Sequence, residues 1–278
     1  MTTADIQELI ARELHFFKGI SQSQQPVSKA DKDRFRLETV AERRVRLSNE
    51  LFITFRGQVQ AGPFKGLKLD SNPSWGTADQ ASKLLGIYEQ EVMNEVFKTS
   101  SLAKRHFIDL GAADGYYAIG GLLKNRFELA DCFEINPLSQ KCIQKNSEIN
   151  NVMEVVKVHG EATEEFFKEV HCHSGWKNVF ILCDVEGAEF DIFTATTLEA
   201  IKGATILIEI HNWIEDFWPK YEGLLHRAAV HYKISTLSRV SMQLPDIHEL
   251  RSWHDDNRAL ILSEGRPNVM RYLKLEAK

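Results

Sequence analysis

The sequence predicts an α/β fold: a doubly wound, mostly parallel sheet of seven strands, preceded by a helical extension. Two observations lead there. From about residue 105 to 210, short apolar runs alternate with longer amphipathic ones, as parallel strands alternate with the helices that connect them. The turn in DLGAADGYYA then joins the first apolar run to a helix through Gly111 and Gly115, the place where doubly wound sheets bind ligands. A chain of 278 residues can bury one such domain and still carry an extension.

At the N-terminus, Ile6, Leu9, Ile10, Leu14 and Phe17 recur at intervals of three to four, which predicts a helix capped by Thr3 or Asp5 and broken at SQSQQPVS. A second helix is expected from about 29 to 51, with Phe35, Leu37, Val40, Val45 and Leu47 among many charges. Its arginines interleave with Asp31, Asp33, Glu38 and Glu42, so a solvated face is the simpler reading. LFITFRGQVQAGPFKGLKLD reads as two short strands around a turn, because Ile53 and Phe55 alternate with Thr54 and Arg56. From about 79 to 98, Leu84, Leu85, Tyr88, Val92 and Val96 keep helical spacing. HFIDL, DCFEI, EVVKVH, VFILCDV and TILIEIH are strand candidates, and HYKISTLSR and RALILSEG add two more. GYYAIGGLLKNR, PLSQKCIQKNSEIN and EFDIFTATTLEAIK read as the connecting helices. Residues 1–60 are thus expected to form the extension and 61–278 the α/β domain.

Composition narrows the function. A net charge of -5 gives no support for a nucleic acid or another large polyanion as substrate. The cysteines at 132, 142, 172 and 183 form no CxxC pair, so neither a disulfide framework nor a structural zinc site is indicated. His171-Cys172-His173 lacks a second ligand pair and reads as a surface loop. No apolar segment suits a signal peptide or a bilayer span, which leads to the expectation of a cytoplasmic protein without a membrane partner.

The turn itself discriminates between cofactors. A dinucleotide fingerprint needs small residues at 111, 113 and 116, and these are Gly111, Ala113 and Tyr116; a tyrosine hinders the close packing of helix on strand. S-adenosylmethionine (SAM) carries no phosphate, and its cationic amino-acid end suits a turn containing Asp109 and Asp114. Glu134 closes the candidate strand DCFEI, where a carboxylate can accept both hydroxyls of a ribose, and Ile135 follows it.

DLGAADGYYA, CFEINP, HGEAT and ILCDVEGAEFDIF, in that order, resemble class I SAM-dependent methyltransferases of Rossmann-like fold, and DVEGAE is similar to a motif of the FkbM-like family. The resemblance covers roughly residues 80 to 212. It implies Gly111, Ala112 and Gly115 against the methionine moiety, Glu134 on the ribose, Glu161 and Ala162 beside the adenine, and Asp184 with Val185 below the sulfonium. Tyr116 follows the turn and is expected to pack on the ligand. The usual middle glycine is Ala113 here. The family implies O-methylation of a carbohydrate-like small molecule, as in polysaccharide biosynthesis. The runners-up are N-methylation of a small molecule and methylation of a phosphorylated or phosphoramidate intermediate; a SAM-binding scaffold without catalysis is the reading from another class.

Methyl transfer asks the protein to align an acceptor and remove its proton. Alternation along TILIEIHNW puts Leu207, Glu209 and His211 on one side, and the adjacent strand delivers Asp184, so the three polar groups are expected to converge. His211 is the preferred general base because an ordinary histidine titrates at about 6.5; a strand-capping role is the alternative. The same three residues could hold a divalent ion, but nothing in their spacing demands one, and no metal is expected. Lys83 and Tyr88 are candidates to reach the cofactor or acceptor, and Trp213, Trp218 and Tyr221 could form an aromatic wall for a sugar. The N-terminal helices are a candidate homodimer contact.

Overall fold

The computed structural model describes residues 3–18, 28–71, 73, 76–77, 79–98, 105–172, 175–238, 242–266 and 270–278. His173, and all of SQSQQPVS except Ser28, lie outside the described residues.

Three helices open the chain: α1 (Thr3–Phe17), α2 (Lys29–Leu37) and α3 (Val40–Phe55). The single helix expected over 29–51 is divided at Thr39, whose hydroxyl accepts from the Glu42 amide while the Glu42 carboxyl accepts from the Thr39 amide. This reciprocal cap starts a new helix. α3 then continues to Phe55, because Leu47, Leu51 and Phe55 recur at intervals of four and bury one face, whereas Ile53 is 76% exposed. The Ile53/Phe55 alternation therefore belongs to a helix, and the two strands expected there reduce to one antiparallel bridge between Gln58 and Lys68. Likewise the helix expected over 79–98 is two, α4 (Gln80–Leu85) and α5 (Gln90–Val96). Gly86 ends α4 in the left-handed region at φ 70°, where a Cβ would stand 2.0 Å from the Ala61 carbonyl oxygen.

The sheet strands are β1 (His106–Leu110), β2 (Leu129–Phe133), β3 (Val156–His159), β4 (Val179–Cys183), β5 (Thr205–Ile210), β6 (Tyr232–Ser238) and β7 (Arg271–Ala277). They lie in the order β3-β2-β1-β4-β5-β7-β6, with β1 to β5 parallel and β7 antiparallel between β5 and β6. This is a seven-stranded, doubly wound Rossmann-like sheet. β1, β4 and β5 are buried along their whole length, which explains their continuous apolar runs. The expected strand RALILSEG is wrong: its first residues finish α11 (Asp255–Leu260), which is capped by His254, whose ring accepts from the Asp256 amide. The last strand is RYLKLEA instead. Lys274 interrupts its apolar pattern, and that ammonium is compensated by Glu95 at 3.0 Å and Glu276 at 2.8 Å.

The crossovers are α6 (Tyr116–Leu123), α7 (Pro137–Ile149), the pair α8 (Glu189–Ile192) and α9 (Ala195–Ala200), and α10 (Phe217–Ala228). They divide the core between the two sheet faces. Phe107, Phe180, Leu182 and Leu207 join one apolar cluster with α4, α5 and α6, and Leu47, Leu51 and Phe55 of α3 belong to it. Ile108, Leu110, Ile181 and Ile208 join the other, with α9 and α10. Successive residues of a strand thus feed opposite cores, as the pleat requires. No helix among the described residues is long and apolar enough to cross a membrane.

The Thr39 cap is exposed and independent of the site. Thr39→Ala should lower unfolding free energy by about 1 kcal/mol in a denaturant titration, with Thr39→Ser close to wild type.

Candidate active site

β1 pairs with β2 on one side and β4 on the other, so the chain leaves β1 in one direction and returns to β4 from the opposite one. Their carboxyl ends open a crevice between diverging loops. On its floor Gly111 has φ 85°, and a Cβ there would stand 1.7 Å from the Asp184 carbonyl oxygen. Only glycine lets the two chains approach so closely. The Gly111 and Ala112 amides donate to Phe133 O at 2.9 and 3.0 Å, and the Asp184 amide donates to Leu110 O at 2.8 Å, so the turn is tied to both neighbouring strands.

Glu134 lies just beyond β2, which ends two residues earlier than DCFEI implied. Its Oε2 accepts from the Ala113 amide and its Oε1 from the Asn136 amide, both at 2.8 Å. Held from two sides, the carboxyl forms part of the wall of a cavity of about 630 Å³. Gly111, Ala113, Ile135, Glu161, Ala162 and Val185 line the same cavity, and so do Lys83 and Tyr88.

Five of the residues expected to touch cofactor lie behind this wall instead. Asp109 is buried, and that burial, followed by the charges of Asp184, Asp114 and Glu134, raises its carboxyl well above the ordinary range. Asp114 is 2.8 Å from the Lys83 ammonium, which also meets Asp79 at 3.2 Å, so it is no free seat for a ligand cation. Burial works against the Lys83 charge, but the two aspartates outweigh it and raise its pKa. Ala112 is packed in the turn, and Gly115 takes φ 76° against Ile119 and Ile143. Tyr116 packs its ring against Phe64 and Tyr88 and donates its hydroxyl to Lys83 O at 3.4 Å. These residues shape the turn.

At the ends of β4 and β5 the expected convergence occurs, since Asp184, Glu209 and His211 all line the cavity. His211 Nε2 stands 3.3 Å from Asp184 Oδ1 and 3.8 Å from Glu186 Oε2, while Nδ1 is 3.1 Å from Glu189 Oε1. Burial is the largest single influence on the His211 ring and opposes its charge. The hydrogen bonds and charges of Asp184 and Glu189 together prevail and lift its pKa to about 9. The expectation of a neutral base is therefore corrected: at neutral pH this imidazole already holds its proton.

Glu209 shows the opposite balance. Burial first, then the charge of Asp184, pushes its carboxyl up to about 11, although Arg266 Nη1 is only 2.6 Å from its Oε1. Beside a second carboxyl in such a place the protonated form of Glu209 is favoured. Arg266 also pairs with Glu264 at 3.0 Å and with Glu89. Glu89 accepts from the Tyr117 hydroxyl at 2.6 Å, and its amide donates to Glu264. Sequence reasoning missed Glu264, which stands in a segment assigned to a strand, and Arg266, which follows that segment, and it gave Glu89 no role.

Donor atoms of Asp184, Glu186 and His211, and separately of Glu89, Asp184 and Glu209, come within 4.8 Å of one another. That spacing suits a divalent ion, but each of these side chains already shares an ion pair with His211 or Arg266. Of the expected aromatic wall only Trp213 lines the cavity, with its ring centroid 4.8 Å from that of His211. Trp218 is 73% exposed, and Tyr221 stacks on Phe217. Cys172 is half-buried with its sulfur 3.7 Å from His106 Nδ1, and burial raises its thiol to about 11.

The chain matches no protein-family model and no curated protein. Solved structures of similar fold include the O-methyltransferase from Bacillus cereus in complex with SAH, at 12% identity over 90% of this chain and 98% of that chain, with a TM-score of 0.42. Precorrin-6y C5,15-methyltransferase from Geobacter metallireducens is 14% identical over 68% of this chain and 89% of that chain, TM-score 0.42. P. horikoshii TYW2 in complex with MeSAdo is 13% identical over 68% of this chain, TM-score 0.40, and this chain spans 60% of its length. The likeness is one of fold.

The charge on His211 links to stability. Its folded pKa of about 9 exceeds the unfolded value, so its contribution is complete below about pH 6.5 and is lost as pH rises through 9. Wild type should lose on the order of 3 kcal/mol more than His211→Gln between pH 6 and pH 10 in parallel denaturant titrations.

Proposed function

We propose that this chain is a SAM-dependent methyltransferase that O-methylates a hydroxyl of a sugar, a glycan precursor or a related small molecule in the cytoplasm. The observation that carries the reading is the pairing of Gly111, too close to Asp184 for any side chain, with Glu134, whose carboxyl is held at the wall of the same cavity. A backbone stripped of side chain can lie against a ligand, and a fixed carboxylate can accept the two hydroxyls of a ribose. About 630 Å³ falls within the range of small-molecule sites and leaves space beside a nucleoside for an acceptor. The similarity of DVEGAE to the FkbM-like motif supports the carbohydrate hydroxyl. So does the lining, which brings Trp213 and the carboxyls of Asp184, Glu186 and Glu209, able to accept hydrogen bonds from hydroxyls, to one cavity.

When bound, SAM supplies a methyl group already activated on a sulfonium. Gly111, Ala113 and Glu134 would hold the nucleoside end, and Glu161 with Ala162 would flank the base. Asp184 Oδ1, 3.3 Å from His211 Nε2, belongs to a carboxyl that lines the cavity, where it would take the proton of an acceptor hydroxyl. His211, carrying its own proton beside Asp184, holds that carboxyl in place. The carboxyl excess also suits a cationic sulfonium better than a phosphate.

Calorimetry should detect SAM binding, and Glu134→Ala should weaken it by about tenfold or more through loss of charged hydrogen bonds to the ribose. Labelled SAM offered with a panel of nucleotide sugars should mark a hydroxyl, and Asp184→Asn should lower kcat by about a hundredfold. Absence of SAM binding by the wild-type chain would overturn the reading; transfer to nitrogen or to a phosphorylated acceptor would replace its acceptor.

A further inference from the structure

We infer that Glu189 is the positioning residue of the site: it fixes the imidazole of His211 with Nδ1 turned into the protein and Nε2 presented to the acceptor, and keeps that ring a proton donor. The part of this concerning turnover rests on the methyl-transfer reading above. The part concerning His211 does not.

Glu189 opens α8 and is 0% exposed; it does not line the cavity, so it can act on an acceptor only through a neighbour. Each of its carboxyl oxygens is engaged. Oε2 accepts from the Gly187 amide at 2.9 Å, which secures the loop leaving β4. Oε1 accepts from the His211 amide at 2.9 Å and lies 3.1 Å from His211 Nδ1. One side chain therefore ties the end of β4 to the end of β5 and orients the ring between them. Gly187 is part of the same device: it has φ 109°, and a Cβ there would stand 2.5 Å from the Ile214 side chain.

The other edge of the ring is open only to the cavity. His211 is 1% exposed, its Nε2 faces Asp184 and Glu186, and Trp213 closes one side. A carboxyl on Nδ1 of a buried histidine selects the tautomer, orients the ring and stabilises its protonated form. The pKa of about 9 agrees with that arrangement. The titratable and charged groups that meet this ring are Asp184, Glu186 and Glu189 from the β4 side; Glu209 of β5 and its partner Arg266, from the segment before β7, line the same cavity. Of these, Glu189 alone meets Nδ1 among the described residues, so its charge can be removed without altering the groups that face the acceptor.

The test is Glu189→Gln, which keeps the shape of the side chain and one of its two acceptor oxygens and removes the charge. In the full-length protein without ligand, NMR of the imidazole nitrogens should show His211 protonated on Nδ1 in wild type. Its titration midpoint should fall by about one unit or more in Glu189→Gln and stay near wild type in Glu189→Asp. In turnover, Glu189→Gln should lower kcat about tenfold at neutral pH with KM for SAM little changed, and should bring the alkaline limb of the pH profile down by the same shift. In His211→Gln the additional Glu189→Gln change should have almost no further effect on kcat, since the carboxyl acts through the ring. An unchanged His211 midpoint in Glu189→Gln would overturn the inference, and so would a full additional loss in the double variant. Should Glu189→Gln not fold, the His211 midpoint in Glu189→Asp against wild type, with the nitrogen protonation in wild type, decides in its place: a ring bearing its proton only on Nε2 is fatal to the proposal. A normal dyad in NMR with no SAM binding would instead sink the methyl-transfer reading and leave the dyad standing.

Discussion

The approach of Gly111 to the Asp184 carbonyl is the contact on which the site depends. The 1.7 Å separation that a Cβ would have from that oxygen is far below any tolerable contact, so the first turn and the end of β4 can meet only through glycine. β4 cannot move aside, because it is hydrogen-bonded to β1 and β5 and buried along its length. From this one contact follows the rest of the cavity: Glu134 reaches the turn from the end of β2, Asp184 reaches it from the end of β4, and His211 stands just beyond the neighbouring strand β5.

A second constraint is charge. Three cations serve the site, and each serves more than one carboxyl: Lys83 meets Asp79 and Asp114, Arg266 meets Glu89, Glu209 and Glu264, and His211 meets Asp184, Glu186 and Glu189. Buried charges without partners are strongly unfavourable, and here carboxyls outnumber cations. Burial first, and then the neighbouring carboxyls, raises Asp109 and Glu209 and favours their protonated forms, which relieves the surplus. A cationic ligand would relieve it in the same way, and the acidic cavity is consistent on that ground with a sulfonium.

Much of the fold was legible because buried parallel strands write themselves as continuous apolar runs. HFIDL, VFILCDV and TILIEIH lie where β1, β4 and β5 do. Errors fell where burial is one-sided or conformations are special. Ile53 and Phe55 alternate like a strand, yet Leu47, Leu51 and Phe55 bury a helical face. RYLKLEA was passed over because Lys274 breaks its pattern, and the partner that makes a buried lysine tolerable, Glu95, lies far away in the chain. The aspartates of the first turn looked like ligand seats, since nothing local reveals that Lys83 occupies one and burial neutralises the other.

By itself the sequence determined the strand and helix alternation of the central domain, the position of the glycine turn, and the placing of Glu134, Asp184, Glu209 and His211 at strand ends. These follow from local periodicity, which is encoded over a few neighbouring residues. Only the tertiary structure decided which of those groups line the cavity, that Arg266 and Glu264 line it with them, and that Asp184 and Glu189 together raise the pKa of His211. Charge state and orientation are set by residues brought together from β4, β5 and the segment before β7, and the fields they exert do not exist until the chain has folded.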